Sequence, residues 1–186
     1  MGTETSATRA VLLDVVERLM LEEGYAAVGV RRVAREAGVT PALIHYYFRT
    51  LDDLFLAVLR RNAEREQESL DAAAKSDRPL HALWERGGHG EGARMTIEFL
   101  AAANHHKAIR SEIADYAARV RAAEVAVIAQ ALGPRTAELP AAAVSALLAY
   151  ISRSIVLEES LGLTTGQPEV LALVGQYLDS LEPDQG

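Results

Sequence analysis

The sequence predicts an all-α protein, and three observations predict it. Apolar residues recur at three- and four-residue spacing over most of the chain. Gly and Pro fall in the gaps between those periodic runs. No segment alternates apolar and polar residues over the length of a strand, and no internal repeat is evident. Nine or ten helices are expected, arranged as an N-terminal three-helix domain with a helix-turn-helix and a C-terminal helical bundle.

The first helix is expected from about Thr5 to Glu23, with Val11, Leu12, Val15, Val16, Leu19 and Met20 as its buried face. Gly24 closes it, and Tyr25 and Val28 plug the core. Residues 30–48 read VRRVAREAGVTPALIHYYF. Val30, Val33, Ala34 and Ala37 give a second helix one apolar stripe, with Gly29 as its cap and Gly38 as its stop. Thr40 is a favoured N-cap, and Pro41 suits the first helical position, where an N–H is not needed. A third helix of about two turns runs toward Tyr47, with Ile44 and Phe48 pointing inward. Two short helices joined by a Gly-containing turn make a helix-turn-helix, whose second helix enters a DNA major groove. Thr50 caps the fourth helix, with Asp52 and Asp53 in its first turn and Leu54, Phe55, Val58 and Leu59 on its apolar face.

Ser76–Pro79 marks a break, followed by a short helix carrying Leu80, Leu83 and Trp84. Gly87–Gly92 reads as a flexible loop; no strand precedes it and no Lys-Ser/Thr pair follows, so it lacks the context of a phosphate cradle. Met95–Ala103 forms the next helix. Lys107–Leu132 forms a longer one with Ile109, Ile113, Tyr116, Val120 and Val127 on one face, ended by Gly133-Pro134. Pro140 opens a helix to about Leu161, and Pro168 opens another to about Leu181.

The stretch from residue 24 through 48, GYAAVGVRRVAREAGVTPALIHYYF, followed by a charged helix, resembles the DNA-binding signature of the TetR family of one-component bacterial regulators. The likeness runs from about Ala10 to Val58. Gly24-Tyr25, Val33-Ala34, Ala37-Gly38-Val39, Ile44 and Tyr46-Tyr47-Phe48 carry it. It implies a DNA-binding domain over residues 1–50 and an effector-binding and dimerisation domain over 51–186. It also implies that Pro41, Ala42, Leu43 and His45 face DNA, while Tyr46, Tyr47 and Arg49 hold backbone phosphates. Thr40 and Arg31 are placed to join them. Two positions depart from the family pattern: Leu51 stands where Lys is frequent, and Arg32 where Asp is frequent. The operator sequence is therefore not readable.

The net charge of −7 first looks wrong for a DNA binder. Residues 1–65 hold nine Arg and no Lys against nine Asp plus Glu, so the acidic excess lies beyond them. Basic patches act by position rather than by total. Arg31, Arg32, Arg35 and Arg49 surround the motif with only Glu36 among them, and an ordinary solvated face would account for two of these four.

The family's regulators dimerise, since one such helix reads only a few base pairs. The last two helices offer the candidate interface: Val144, Leu147, Leu148, Ile151 and Ile155 on one, Val170, Leu171, Val174 and Leu178 on the other. The alternative is that these stripes pack within one chain. The resemblance also implies a small-molecule effector. Trp84, Met95, Phe99, Tyr116 and Tyr150 would supply apolar walls, and Asn104, His105, Arg119 and Arg153 polar contacts.

The chain has no cysteine, which removes disulfides and suits a reducing cytoplasm. Asp14 and Glu17 interrupt any leader-like apolar run, so no signal peptide is expected. The apolar stretch Ala141–Ile151 is shorter than the ~18 residues a membrane span needs. No cofactor, metal site or enzymatic activity is expected: His105 and His106 are adjacent and point apart on a helix, His81 and Glu85 lack a second ligand pair, and no catalytic triad or nucleotide fingerprint stands out. The sequence reads as a dimeric, sequence-specific transcriptional regulator, expected to be a repressor released by an effector. The rival reading is an all-helical protein-interaction module without DNA binding.

Overall fold

A computed structural model describes residues 2–87 and 90–182. Among them are nine α-helices, two 3₁₀ turns and no strand. The helices are α1 (Gly2–Glu23), α2 (Val30–Glu36), α3 (Pro41–Tyr47), α4 (Leu51–Ala74), α5 (Pro79–Gly87), α6 (Glu91–Ala103), α7 (Lys107–Leu132), α8 (Ala141–Ser160) and α9 (Gln167–Leu181). Of the expected 87–92 loop, Gly87 ends α5 and α6 starts at Glu91, while Gly88 and His89 lie outside the described residues.

The chain forms two compact units. The first comprises residues 1–64 and 94–116, and the second comprises 65–93 and 117–186. This division follows packing, whereas the boundary near residue 50 separates proposed tasks.

In the first unit Leu12, Leu13, Val16, Leu19 and Met20 of α1 are buried with Val33 and Ala34 of α2, Ile44 of α3 and Leu54, Phe55 and Val58 of α4. Met95 and Phe99 of α6 and Ile109 and Ile113 of α7 complete this core. One assignment on α1 needs correcting. Val11 is 48% exposed, and Leu13 takes the inward place. Val11 lies just off the stripe that Leu12, Val16 and Leu19 define. Gly24 closes α1 with φ +85°, a conformation that a side chain resists. The fourth helix has a reciprocal cap: Asp53 N–H donates to Thr50 Oγ1, and Thr50 N–H donates to Asp53 Oδ2, both at 3.0 Å.

The second unit has its own core of Leu70 and Ala73 (α4), Leu80, Leu83 and Trp84 (α5), Ile128 and Leu132 (α7), Val144 and Ile155 (α8), and Leu178 and Leu181 (α9). Glu182 accepts the Leu80 N–H at 2.7 Å and the His81 N–H at 3.1 Å, satisfying donors at the start of α5. The apolar character of α8 does not stop at Ile151, because Ile155, Val156 and Leu157 resume it. Among the described residues, α8 is the one helix long and apolar enough to cross a membrane, with a mean hydropathy of 1.5. This corrects the shorter apolar stretch read from the sequence.

Candidate nucleic-acid interface

The turn between α2 and α3 is fixed by backbone bonds. Val39 N–H reaches Ala34 O at 2.9 Å, and Gly38 N–H reaches Arg35 O at 3.2 Å. This pair of bonds is a Schellman closure, and it needs a left-handed residue. Gly38 provides it with φ +66°. Pro41 then starts α3 in its first turn. Thr40 stands at the N-cap with extended backbone, but its side chain makes no cap hydrogen bond. The expected cap is therefore absent, and Thr40 O instead accepts the Leu43 N–H at 3.0 Å.

The two faces of α3 differ sharply. Ile44 is 1% exposed and Phe48 is 4% exposed, so the helix is anchored at one-turn spacing. Pro41, Ala42, His45, Tyr46 and Arg49 are exposed, as is Thr40, while Leu43 and Tyr47 are half-buried. Tyr46 is 75% exposed. Its ring meets Tyr47 edge-on at 5.2 Å, and Tyr47 meets Phe48 at 6.3 Å. The phenol of Tyr46 thus stands in solvent on a ring braced from below, with its O–H available to an acceptor.

The charges around α3 sort into two kinds. Glu36 gathers Arg18 at 3.0 Å, Arg32 at 3.1 Å and Arg35 at 3.7 Å. Arg32 also reaches Glu23 at 2.7 Å. The hydrogen bond from Arg18, supported by the charges of Arg32 and Arg18, holds the Glu36 carboxyl below its ordinary range. Arg32 therefore ties α2 to α1, and Arg35 is offset by Glu36 on its own helix, so neither adds a free charge to a positive patch. Arg31 and Arg49 are exposed and make no ion pair among the described residues. A further cation was not apparent in the sequence. The Arg9 guanidinium lies 5.4 Å from the centroid of the Phe48 ring. Nothing in the spacing of α1 signals that contact, which exists only once α1 and α3 have packed.

Contacts from α6 and the α6–α7 connection fix the 3₁₀ turn after α1 and the start of α4. Glu98 Oε2 accepts the Tyr25 N–H at 2.7 Å, and the His105 ring stacks on Tyr25 at 5.8 Å. His106 Nδ1 lies 2.7 Å from Asp52 Oδ1. Adjacent histidines thus serve different neighbours, and His105 takes a place against the 3₁₀ turn that follows α1.

The remaining residues expected to meet an effector are dispersed. Met95 and Phe99 belong to the first core, with Tyr116 half-buried against it, and Asn104 is exposed. Trp84 belongs to the second core, Arg119 is exposed, and Arg153 lies over the exposed Tyr150 ring at 5.5 Å. The second unit also holds a cavity of about 1030 Å³ lined by Ser76, Arg78, Val127, Gln130, Arg135 and Leu181 among others. None of the nine expected effector residues lines it.

The expected interface stripe divides as well. Val144, Ile155 and Leu178 are inside the second core, so they are not available to another chain. Leu148, Ile151, Leu171 and Val174 are partly buried against that core. The outward positions are Leu147, Tyr150 and Leu157 on α8, Leu161 directly after it, and Val170, Leu173 and Tyr177 on α9, each between 38% and 69% exposed. They recur at three, four and seven, the spacing of a seam between helices. Of the expected stripe Leu147 and Val170 face outward, while Val144, Ile155 and Leu178 face the core; apolar residues lie on more than one face of α8, and burial separates them.

Residues 12–58 match the family described as "Bacterial regulatory proteins, tetR family". A regulator named BetI from Brucella canis is 38% identical over 73 residues, which are 39% of this chain and 37% of the relative. BetI from Brucella anthropi is 40% identical over 65 residues, 35% of this chain and 34% of its own. The match thus spans little more than a third of the length of these curated relatives. Over the whole fold, a TetR-family regulator from a Rhodococcus species superimposes with TM-score 0.76 at 20% identity, covering 95% of this chain and 99% of that one. The multidrug binding protein EbrR, solved with imidazole, gives TM-score 0.62 at 27% identity over 96% of each chain.

Proposed function

We propose, from the premise that this chain belongs to the TetR family of bacterial regulatory proteins, that it is a cytoplasmic homodimeric repressor released from its operator by a small molecule. One observation carries the DNA-binding part: α3 is anchored by Ile44 and Phe48 while His45, Tyr46 and Arg49 stand outward with no carboxylate partner among the described residues. Such a helix in a major groove reads base edges through Pro41, Ala42, Leu43 and His45 and grips phosphates through Thr40, Tyr46, Tyr47, Arg31 and Arg49. Ala42 and Leu43 offer only apolar contact, which suits thymine methyl groups.

The outward apolar positions of α8 and α9 support the dimer. Two such faces would meet as a four-helix bundle, and the two reading helices would then address half-sites one turn of DNA apart, or a multiple of it. Effector release is supported by the likeness to EbrR, a multidrug binding protein. An effector acts by favouring the arrangement of the two heads that does not fit DNA, a coupling of about 1–3 kcal/mol in typical cases.

Mobility-shift titration with duplex DNA from upstream of the chain's own coding sequence tests this reading. The wild-type chain is expected to retard the duplex, and Tyr46→Ala with Arg49→Ala to abolish the shift while the dimer persists in sedimentation. A chain that leaves the duplex unshifted at low salt contradicts DNA binding and favours the protein-interaction reading. A screen for small molecules that dissociate the complex tests the effector.

A further inference from the structure

We infer that Arg9, on α1 and outside the helix-turn-helix, is a DNA phosphate-binding residue positioned by the ring of Phe48. The inference rests on the proposed function and adds a contact that the motif does not contain.

It begins with a sorting of cations. In the first 61 residues, Arg18, Arg32, Arg35, Arg60 and Arg61 each have a carboxylate oxygen within 4 Å. Four of them join one helix to another, and Arg35 pairs with Glu36, the next residue of α2. Arg9, Arg31 and Arg49 are exposed and have no carboxylate partner among the described residues. A head with zero formal charge therefore presents three uncompensated cations, and neutralising phosphate is what such cations do at a duplex.

Placement supplies the second argument. Arg9 sits 5.4 Å over the Phe48 ring, and Phe48 is the residue that ends α3. Arg49 follows it directly. The aromatic run Tyr46–Tyr47–Phe48 thus carries an exposed phenol at one end and an exposed guanidinium at the other. A cation–π contact attracts the guanidinium as a charge and does not use its N–H donors in hydrogen bonds to oxygen. No hydrogen bond from Arg9 to the protein is present among the described residues. A planar fork, held in place and with unsatisfied donors, matches the geometry of a phosphate. The cost of ordering a long side chain is met by the Phe48 contact before DNA arrives.

The salt dependence of affinity for the upstream duplex tests this, read by fluorescence anisotropy between about 50 and 200 mM salt. Arg9→Ala is expected to lower the slope of log affinity against log salt by about one per bound subunit. Arg9→Lys, which keeps the charge, is expected to restore most of it. Arg60→Ala, which removes an arginine paired with Glu112, is expected to leave the slope unchanged. An unchanged slope in Arg9→Ala, with unchanged thermal melting, overturns the inference. An equal loss in Arg60→Ala also overturns it, since net charge alone would then explain the effect. A wild-type chain that fails to bind at any salt refutes the proposed function itself, a result distinct from either.

Discussion

The two units of this molecule put opposite chemistry on their surfaces. The first exposes a short helix whose outward residues include a phenol and an imidazole, with Arg31 and Arg49 exposed beside it, while Glu36 is taken by Arg18, Arg32 and Arg35, Asp52 faces His106 and Asp53 caps α4. The second exposes Leu147, Leu157, Leu173 and Tyr177 on two helices. Both have a separate and well-filled core. The difference teaches that burial is not the scarce quantity in either unit; what is left outside distinguishes a surface suited to phosphate from one suited to another apolar face.

Substitutions can break this comparison, and the largest effect is expected on the second unit. Leu147→Asp with Leu173→Asp places charge on these outward positions and is expected to convert the proposed dimer fully to monomer in sedimentation at micromolar concentration. Val144→Asp, one helical turn earlier but buried, is expected to unfold the unit instead of freeing it. A dimer that survives the double substitution would remove the seam from the account.

On the first unit, Ile44→Ala is expected to cost about 2–5 kcal/mol in urea denaturation, because it empties a filled core site. Tyr46→Ala, two residues along, is expected to leave stability within about 0.5 kcal/mol while weakening DNA binding about tenfold, the worth of one hydrogen bond to a charged group. Equal stability losses in the two variants would mean that α3 does not present the outward face described.

The caps sharpen the contrast further. Thr50→Ala removes a reciprocal cap and is expected to cost about 0.5–2 kcal/mol. Thr40→Ala removes no cap bond, and is expected to cost much less in a parallel melt.

The smallest effect concerns pH. The Glu36 carboxyl is held below its ordinary range, chiefly by the Arg18 hydrogen bond. Its contribution is therefore complete above the ordinary Glu value and is lost as pH falls through the depressed one. Thermal melts from about pH 6 to pH 3 are expected to fall slightly less steeply in Glu36→Gln than in the wild type. A steeper fall would show that the carboxylate is not paired in solution.

The helices were legible because their punctuation is strong. Gly24, Gly38, Pro41, Pro79 and Gly133 mark boundaries that the backbone requires, and the inward pair Ile44 and Phe48 follows from spacing. What could not be read depends on packing. Val11 and Leu13 are two residues apart on α1, and the packing of the first core, rather than their spacing, selects Leu13. On α8 the apolar residues cover more than one face, so periodicity could not separate Val144 and Ile155 from Leu147 and Tyr150. The contact of Arg9 with Phe48 joins residues 39 positions apart and leaves no local trace. Thr40 shows the opposite failure: a residue that favours capping occupies the N-cap position and does not use its hydroxyl there.

The most direct test of the central claim uses the absence of cysteine from the sequence. His45→Cys creates a single thiol on the outward face of α3, to which an iron chelate can be attached for oxidative cleavage of bound upstream DNA. Two clusters of strand cuts are predicted, centred in the major groove and separated by about 10 base pairs or a multiple of that spacing. Binding without cleavage, or cleavage no greater than from a chelate at the exposed Lys75→Cys, would contradict the placement of α3 in the groove.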